Sequence, residues 1–207
     1  MIRTAWAAFG VMALMAGCAA PAIHYYSLAS SALGSTPEVP ASRPTYGLRL
    51  QVSEVPAEVD RMQLVVRDPA SGPSVQVLNQ SLWSAPLRDQ IQERLSGSVA
   101  GALGVPDLNR MPGMAGLRAR TVTVRVTRFD LVWDERAVLE ADWTDHGPGA
   151  SAPRLCRAGV SLSVGAGMAA LVDGQRRALQ SLGRLIAGQG STPGSTGIPG
   201  VQYSGCT

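Results

Sequence analysis

The stretch from Thr121 to Trp143 restricts the fold more than any other. Val122, Val124 and Val126 alternate with Thr121, Thr123, Arg125 and Thr127, and a period of two puts one set on each face of a strand. The phase slips near Phe129, where a bulge would turn Phe129 and Leu131 to the side of the valines. Asp134-Glu135 interrupts the pattern, and Ala137, Leu139, Ala141 and Trp143 resume it against Val138, Glu140 and Asp142. Two long half-buried strands joined by a short turn predict an antiparallel hairpin at the centre of a sheet. Such a hairpin has one apolar face to bury, so the chain must supply something to cover it.

Two segments have the right period. Leu87, Ile91, Leu95, Val99 and Leu103 recur at every fourth residue and form one stripe on a helix. Ser84 is suited to the N-cap and Pro86 to the first turn, where its missing N–H costs nothing. Gly104 and Pro106 stop the helix. Gly97 and Gly101 each weaken it by about 1 kcal/mol relative to Ala, so close backbone approach is expected there. A second helix is expected over 168–187, with Leu171, Ala178, Leu182 and Leu185 on one face and Gly188 at its end.

Shorter strands are read at His24–Leu28, Leu48–Val52 and Leu155–Val164. Another pair, Met62–Val66 and Ser74–Leu78, flanks a turn-forming cluster from Asp68 to Pro73. The fold expected is α+β: one domain over 46–188, a mixed and mostly antiparallel sheet with two main helices packed on it. Residues Ser30 to Pro44, rich in Ser, Pro and Ala, read as a semi-extended spacer. The Gly-, Ser- and Pro-rich end, 189–207, has no periodicity and reads as a flexible tail.

The N-terminus carries a different signal. Arg3 precedes an apolar run from Ala5 to Ala16, closed by Gly17-Cys18. The run is too short for a hydrocarbon core of about 30 Å, which takes roughly 20 helical residues. It fits the charged, apolar and small-residue regions of a secretory signal. A Cys directly after Ala-Gly resembles a bacterial lipobox, although Met15 stands where that pattern has Leu. In that class the peptide before the Cys, here 1–17, is removed, and the Cys takes a diacylglycerol through a thioether. Cys18 is therefore the expected lipidation site, and 18–45 the lipidated N-terminus, short strand and linker.

Composition narrows the function. At 45% apolar and 16% charged residues the chain is globular. Without Arg3 it holds 17 Arg against 15 acids, which excludes the strongly basic footprint of a nucleic-acid binder. All eighteen basic residues are Arg, so no lysine Schiff base or lysine general base exists. From Ser151 onward there are Arg154, Arg157, Arg176, Arg177 and Arg184 against the single acid Asp173. That end reads as a solvated basic face, with anionic headgroups or an acidic partner as the alternative.

His24 and His146 have no partner at ligand spacing, and no Cys pair has metal spacing, so neither a metal site nor a bound cofactor is expected. No Gly-x-Ser-x-Gly elbow occurs. Gly165 to Ala170 follows a strand and opens a helix, as a dinucleotide loop does. It lacks an acid about 20 positions on and a following strand, and reads as a tight turn. A binding or scaffold protein is expected, not an enzyme. With Cys18 acylated, Cys156 and Cys206 are an even pair in an exported chain. A disulfide between them is expected, with two free thiols as the alternative.

Several blocks, taken in order, resemble one family. They are Tyr25-Tyr26-Ser27-Leu28 near the lipobox, Leu50-Gln51-Val52-Ser53-Glu54-Val55-Pro56, and Asp60-Arg61-Met62-Gln63-Leu64-Val65-Val66-Arg67. Trp83-Ser84-Ala85-Pro86-Leu87, Val124-Arg125-Val126-Thr127-Arg128-Phe129-Asp130 and Val138-Leu139-Glu140-Ala141-Asp142-Trp143 follow. Over Tyr25 to Ala187 the chain resembles the bacterial ABC-type transport auxiliary lipoproteins, the PqiC/YmbA-like membrane integrity lipoproteins. The spacer at Ser30 to Pro44 and the Cys-bearing tail are departures from that pattern.

The resemblance implies an outer-membrane lipoprotein facing the periplasm of a Gram-negative bacterium, held by acyl lipid on Cys18. Ala19 resembles outer-membrane sorting, where an Asp would suggest inner-membrane retention. The implied partner is an MCE-domain protein, a ring- or tube-forming lipid carrier anchored in the inner membrane. The implied task is transport of phospholipid or related lipids between membranes by docking, with no catalytic residues. Direct phospholipid contact and several copies around the partner's rim are compatible with it. The alternative is a structural or assembly lipoprotein of the envelope with no transport role.

Overall fold

The computed structural model describes residues 22–29, 44–114, 116–188 and 197–207. Its organising strand is β5 (Arg118–Val132), followed by β6 (Arg136–His146). Val122, Val124 and Val126 point to one face and are buried. The register against β6 shifts between Val126 and Arg128. Beyond that bulge Phe129 and Leu131 take over the same face and are buried in turn. One extra residue is all that a phase slip requires. At the turn Asp134 adopts a positive φ of 52°, a conformation that Asp tolerates better than most residues.

The remaining strands are β1 (His24–Tyr26), β2 (Tyr46–Glu54), β3 (Gln63–Arg67), β4 (Val75–Trp83), β7 (Arg154–Ser163) and β8 (Val201–Cys206). They form one mixed sheet in the order β1-β4-β3-β5-β6-β7-β8, with β2 also paired to β5. Because β5 is fifteen residues long, one of its edges takes two neighbours. β2 runs parallel to its first half from Arg118 to Arg125, and β3 meets it at Val132. The outer edge of β2 is closed by its own chain. Leu48 exchanges backbone hydrogen bonds with Pro106 and Leu108, Val52 N–H donates to Gln92 Oε1, and Asn109 Nδ2 donates to the Leu50 carbonyl.

Helices α1 (Leu87–Leu103) and α2 (Met168–Ile186) lie together on one face of the sheet. Leu87, Ile91, Leu95 and Val99 of α1 are each at most 1% exposed, as are Leu171, Ala178 and Leu182 of α2. They close over Leu50, Val122, Leu139 and Ala158. The α1 start differs from expectation. Pro86 holds the N-cap position without a side-chain cap, and Ser84 instead donates its backbone N–H to Tyr26. Gly97 and Gly101 face open space, and the close approach falls at Gly183, where a Cβ would collide with Ser98. Apolar spacing located the buried stripe of α1, but which small residue meets the other helix depends on how the two cross.

Two further expectations are corrected. The end of the chain is not a tail throughout: Val201–Cys206 is β8, antiparallel to β7 from Cys156 to Val160. Glycine and serine weaken a strand pattern, but an existing edge supplies the pairing that intrinsic propensity lacks. Residues 189–196 lie outside the described residues. A strand therefore does follow α2, but its antiparallel pairing makes no parallel β-α-β crossover. The Gly165–Ala170 turn sits beside the β5–β6 turn, where Gly167 N–H donates to Asp134 Oδ1 at 2.7 Å.

Candidate functional site

With both helices on one side, the other face of the sheet is left bare among the described residues. Beyond the bulge, the alternation that buries Phe129 and Leu139 turns Arg128, Asp130, Glu140 and Asp142 onto that bare face. Strand register then lines them up in rows across the sheet.

One row runs Arg128 on β5, Glu140 on β6, Gly159 on β7 and Tyr203 on β8, each directly opposite the next. Arg128 Nη1 lies 3.2 Å from Glu140 Oε1. Gly159 has no side chain, so the Tyr203 ring lies over it; a Cβ there would overlap the ring. Across that gap the Tyr203 hydroxyl donates to Glu140 Oε2 at 3.2 Å. Burial, then the Glu140 charge, raises the Tyr203 phenol above its ordinary value. The second row carries Glu54, Arg125, Asp142 and Arg157 on β2, β5, β6 and β7. Arg157 forks onto Asp142 at 2.6 and 3.2 Å, and Arg125 pairs with Glu54 at 2.8 Å.

Asp130 is the centre of the face. Its carboxylate is 4% exposed and lies beneath two arginines, accepting from Arg67 Nε at 2.8 Å and Arg128 Nε at 2.6 Å. The hydrogen bond to Asp130 is the main reason both guanidinium groups are held above their ordinary value. Arg67 continues to Glu58. The result is one connected path, Glu58–Arg67–Asp130–Arg128–Glu140–Tyr203, across four strands. From the helix side, the fully buried Gln175 donates Nε2 to the carbonyls of Asp130 and Val138 at 2.8 and 3.0 Å. A shallow depression of about 230 Å³ lies over this path, between Arg136, Glu140, Ser161 and Tyr203.

This surface is a fixed, alternating array of charge. It can meet a complementary array on a protein, because its ion pairs set both position and sign. The basic C-terminal end read from the sequence is largely neutralised here. Arg154 pairs with Asp145, Arg157 with Asp142, and Arg176 and Arg177 with Asp173. Asp145 and Asp142 reach Arg154 and Arg157 through the pairing of β6 with β7, whereas Asp173 meets Arg176 and Arg177 within one helix.

Of the residues singled out from sequence, Cys18 lies outside the described residues. Cys156 and Cys206 face each other across β7 and β8, Cα atoms 3.9 Å apart, and their sulfurs are bonded. They sit on the helix-covered side, with Cys156 beside Trp143. Among the described residues no group of three or more His, Cys, Asp and Glu is placed to hold a metal. No described helix is long and apolar enough to cross a membrane. Sequence reasoning placed Glu140 and Asp142 on the face opposite the apolar set and passed over the row that includes Gly159 and Tyr203. The alternating acids of β6 were visible, but their partners depended on register.

The fold, two helices on one side of a mixed sheet, is similar to that of solved structures. A crystal structure of an uncharacterized protein matches with a TM-score of 0.57 at 19% identity, covering 81% of this chain and 97% of that one. A Xanthomonas campestris protein of the DUF330 family matches with a TM-score of 0.51 at 16% identity, covering 69% and 81%. At such identity the likeness carries the fold alone. No curated protein matches the chain. Residues 26–187 match the family described as the ABC-type transport auxiliary lipoprotein component, and the chain belongs to that family.

Proposed function

We propose that this protein is an outer-membrane lipoprotein facing the periplasm. It is held by acyl lipid on Cys18 and docks an MCE-domain protein in lipid transport between membranes. The reading rests on family membership over 26–187 and on the lipobox-like Ala-Gly-Cys that precedes it. It acts by docking and not by turnover. The bare face supports that role, since its charged side chains are already aimed and paired by the sheet beneath. Binding energy is then spent on recognition and not on ordering side chains.

Chemical crosslinking in membranes, followed by recovery of the protein, tests the partner. An MCE-domain protein in the recovered material is expected, together with loss of that crosslink when Asp130 and Glu140 are both neutralised. A Cys18→Ser form is expected to lose acyl label and membrane attachment yet still bind the MCE-domain protein in solution. Failure of both the anchored and the soluble form to bind it would overturn the reading and favour a structural envelope lipoprotein.

A further inference from the structure

The segment Ser30 to Pro44 has the composition of a spacer between an anchor and a domain, but the topology places it elsewhere. β1 precedes that segment and is itself a strand of the sheet, parallel to β4 with His24, Tyr25 and Tyr26 opposite Ser81, Leu82 and Trp83. Its place is fixed further by Ser84 N–H donating to the Tyr26 carbonyl. Leu28 is fully buried, and its N–H donates to Gln90 Oε1 of α1 at 2.8 Å. The proline-rich segment therefore connects two strands within the domain, and the only chain between Cys18 and the sheet is 19–23.

His24 stands six positions after Cys18, a reach of at most about 22 Å when fully extended. Had the domain begun at β2, its first residue Tyr46 would stand 28 positions after Cys18, a reach of about 100 Å. An acyl group on Cys18 thus holds the β1 edge of the sheet close to the bilayer. The side chains exposed there suit that position. Ile23 is 54% exposed and Tyr25 is 64% exposed, and a period of two puts both on the same side of the chain. A tyrosine has an apolar ring and a polar tip, as a membrane–water interface requires. The opposite end of the sheet lies farther away. β7, with Leu155 exposed on it, stands five strand positions from β1, or roughly 24 Å at the usual spacing.

We propose that Ile23 and Tyr25 form a membrane-contact edge, seated in the phospholipid headgroup region of the bilayer that holds the acyl chains, with β7 and β8 directed away from it. The inference rests on acylation of Cys18. It goes further by assigning an orientation: the β1 edge meets lipid, and the ion-paired rows stand off the bilayer where a partner can reach them.

The test uses the full-length acylated protein reconstituted into vesicles of phosphatidylethanolamine and phosphatidylglycerol carrying a fluorescent tag. A benzoylphenylalanine photocrosslinker replaces Ile23, Tyr25 or Leu155, all exposed positions. Flotation with the vesicles and acyl label are scored for each variant before irradiation. Tagged phospholipid is expected on the protein crosslinked from positions 23 and 25, and lost at position 155. A protein that is acylated and floats, yet gives no lipid product at 23 and 25, or as much at 155, overturns the orientation while the anchor reading stands. A protein without acyl label that stays behind on flotation overturns both.

Discussion

Two aspartates in this sheet are buried to the same degree and serve different ends. Asp130 and Asp145 are each 4% exposed, and each lies between two arginines. Asp145 receives a fork from Arg120 at 2.9 and 2.8 Å. That arginine is only 11% exposed and also donates to the Ile186 carbonyl at the end of α2. The pair therefore ties a helix terminus to the sheet. The arginines over Asp130 are 31% and 47% exposed and reach on to Glu58 and Glu140. In one trio Arg120 is sealed in and acts as a clamp, while Arg154 on the other side of the carboxylate is 65% exposed; in the other both cations stay open to solvent. The composition of a charged cluster does not determine its role. What sets the clamp apart is one buried cation, Arg120, that also holds a helix end.

That contrast can be broken by deleting the carboxylates. Asp145→Ala leaves Arg120 buried and unpaired, and loss of one partner of a buried pair costs about 3–5 kcal/mol. Urea denaturation should show this as the largest single loss, with α2 protected least in hydrogen exchange. A loss no greater than that from Asp130→Asn would sink the distinction.

Next in size is the disulfide at the same end of the sheet. Its bridge spans a separation of 50 residues, for which the chain-entropy account gives up to roughly 4 kcal/mol. The double Cys156→Ser, Cys206→Ser variant should unfold at lower urea, and β8 should lose amide protection before β5 does. Unchanged protection of β8 would mean that strand pairing alone holds it.

Asp130→Asn should cost less, about 1–3 kcal/mol, the range for leaving a buried hydrogen-bonding group imperfectly paired. Its larger effect should be on crosslinking to the MCE-domain protein proposed as the partner. A variant that is destabilised but docks normally would reduce Asp130 to a second clamp and remove the contrast.

The smallest effect belongs to Tyr203→Phe, at most about 0.5 kcal/mol for one half-exposed hydrogen bond. Its sharper readout is pH. Burial and Glu140 raise the Tyr203 phenol above its ordinary 10.0 in the fold, so the folded state holds that proton longer than the unfolded chain. The associated stability is complete below about pH 10 and is lost as pH rises through the folded value. The phenolate absorbance present in the wild type and missing from the variant should rise above pH 10.0. A difference signal that rises at or below that value would contradict the contact with Glu140.

Much of this was legible in the residues. The period of two in β5 and β6, its slip before Phe129 and the four-residue stripe of α1 were readable because local backbone geometry alone sets those periods. The ordered blocks from Tyr25 onward pointed to the family because they preserve that pattern. Less legible were Ser84, which stands two residues before the N-cap Pro86, and Gly97 and Gly101, which meet nothing.

By itself, then, the sequence determined which faces are apolar, where helices stop and which cysteine stands at a lipobox, all consequences of short-range spacing. Only the tertiary structure decided that residues 201–206 are a strand, that Gly159 is the gap through which Tyr203 reaches Glu140, and that Ser30 to Pro44 lies between two strands of one sheet. Each of these depends on which strand lies beside which. Pairing is a contact between residues far apart in the chain, and no local period records it.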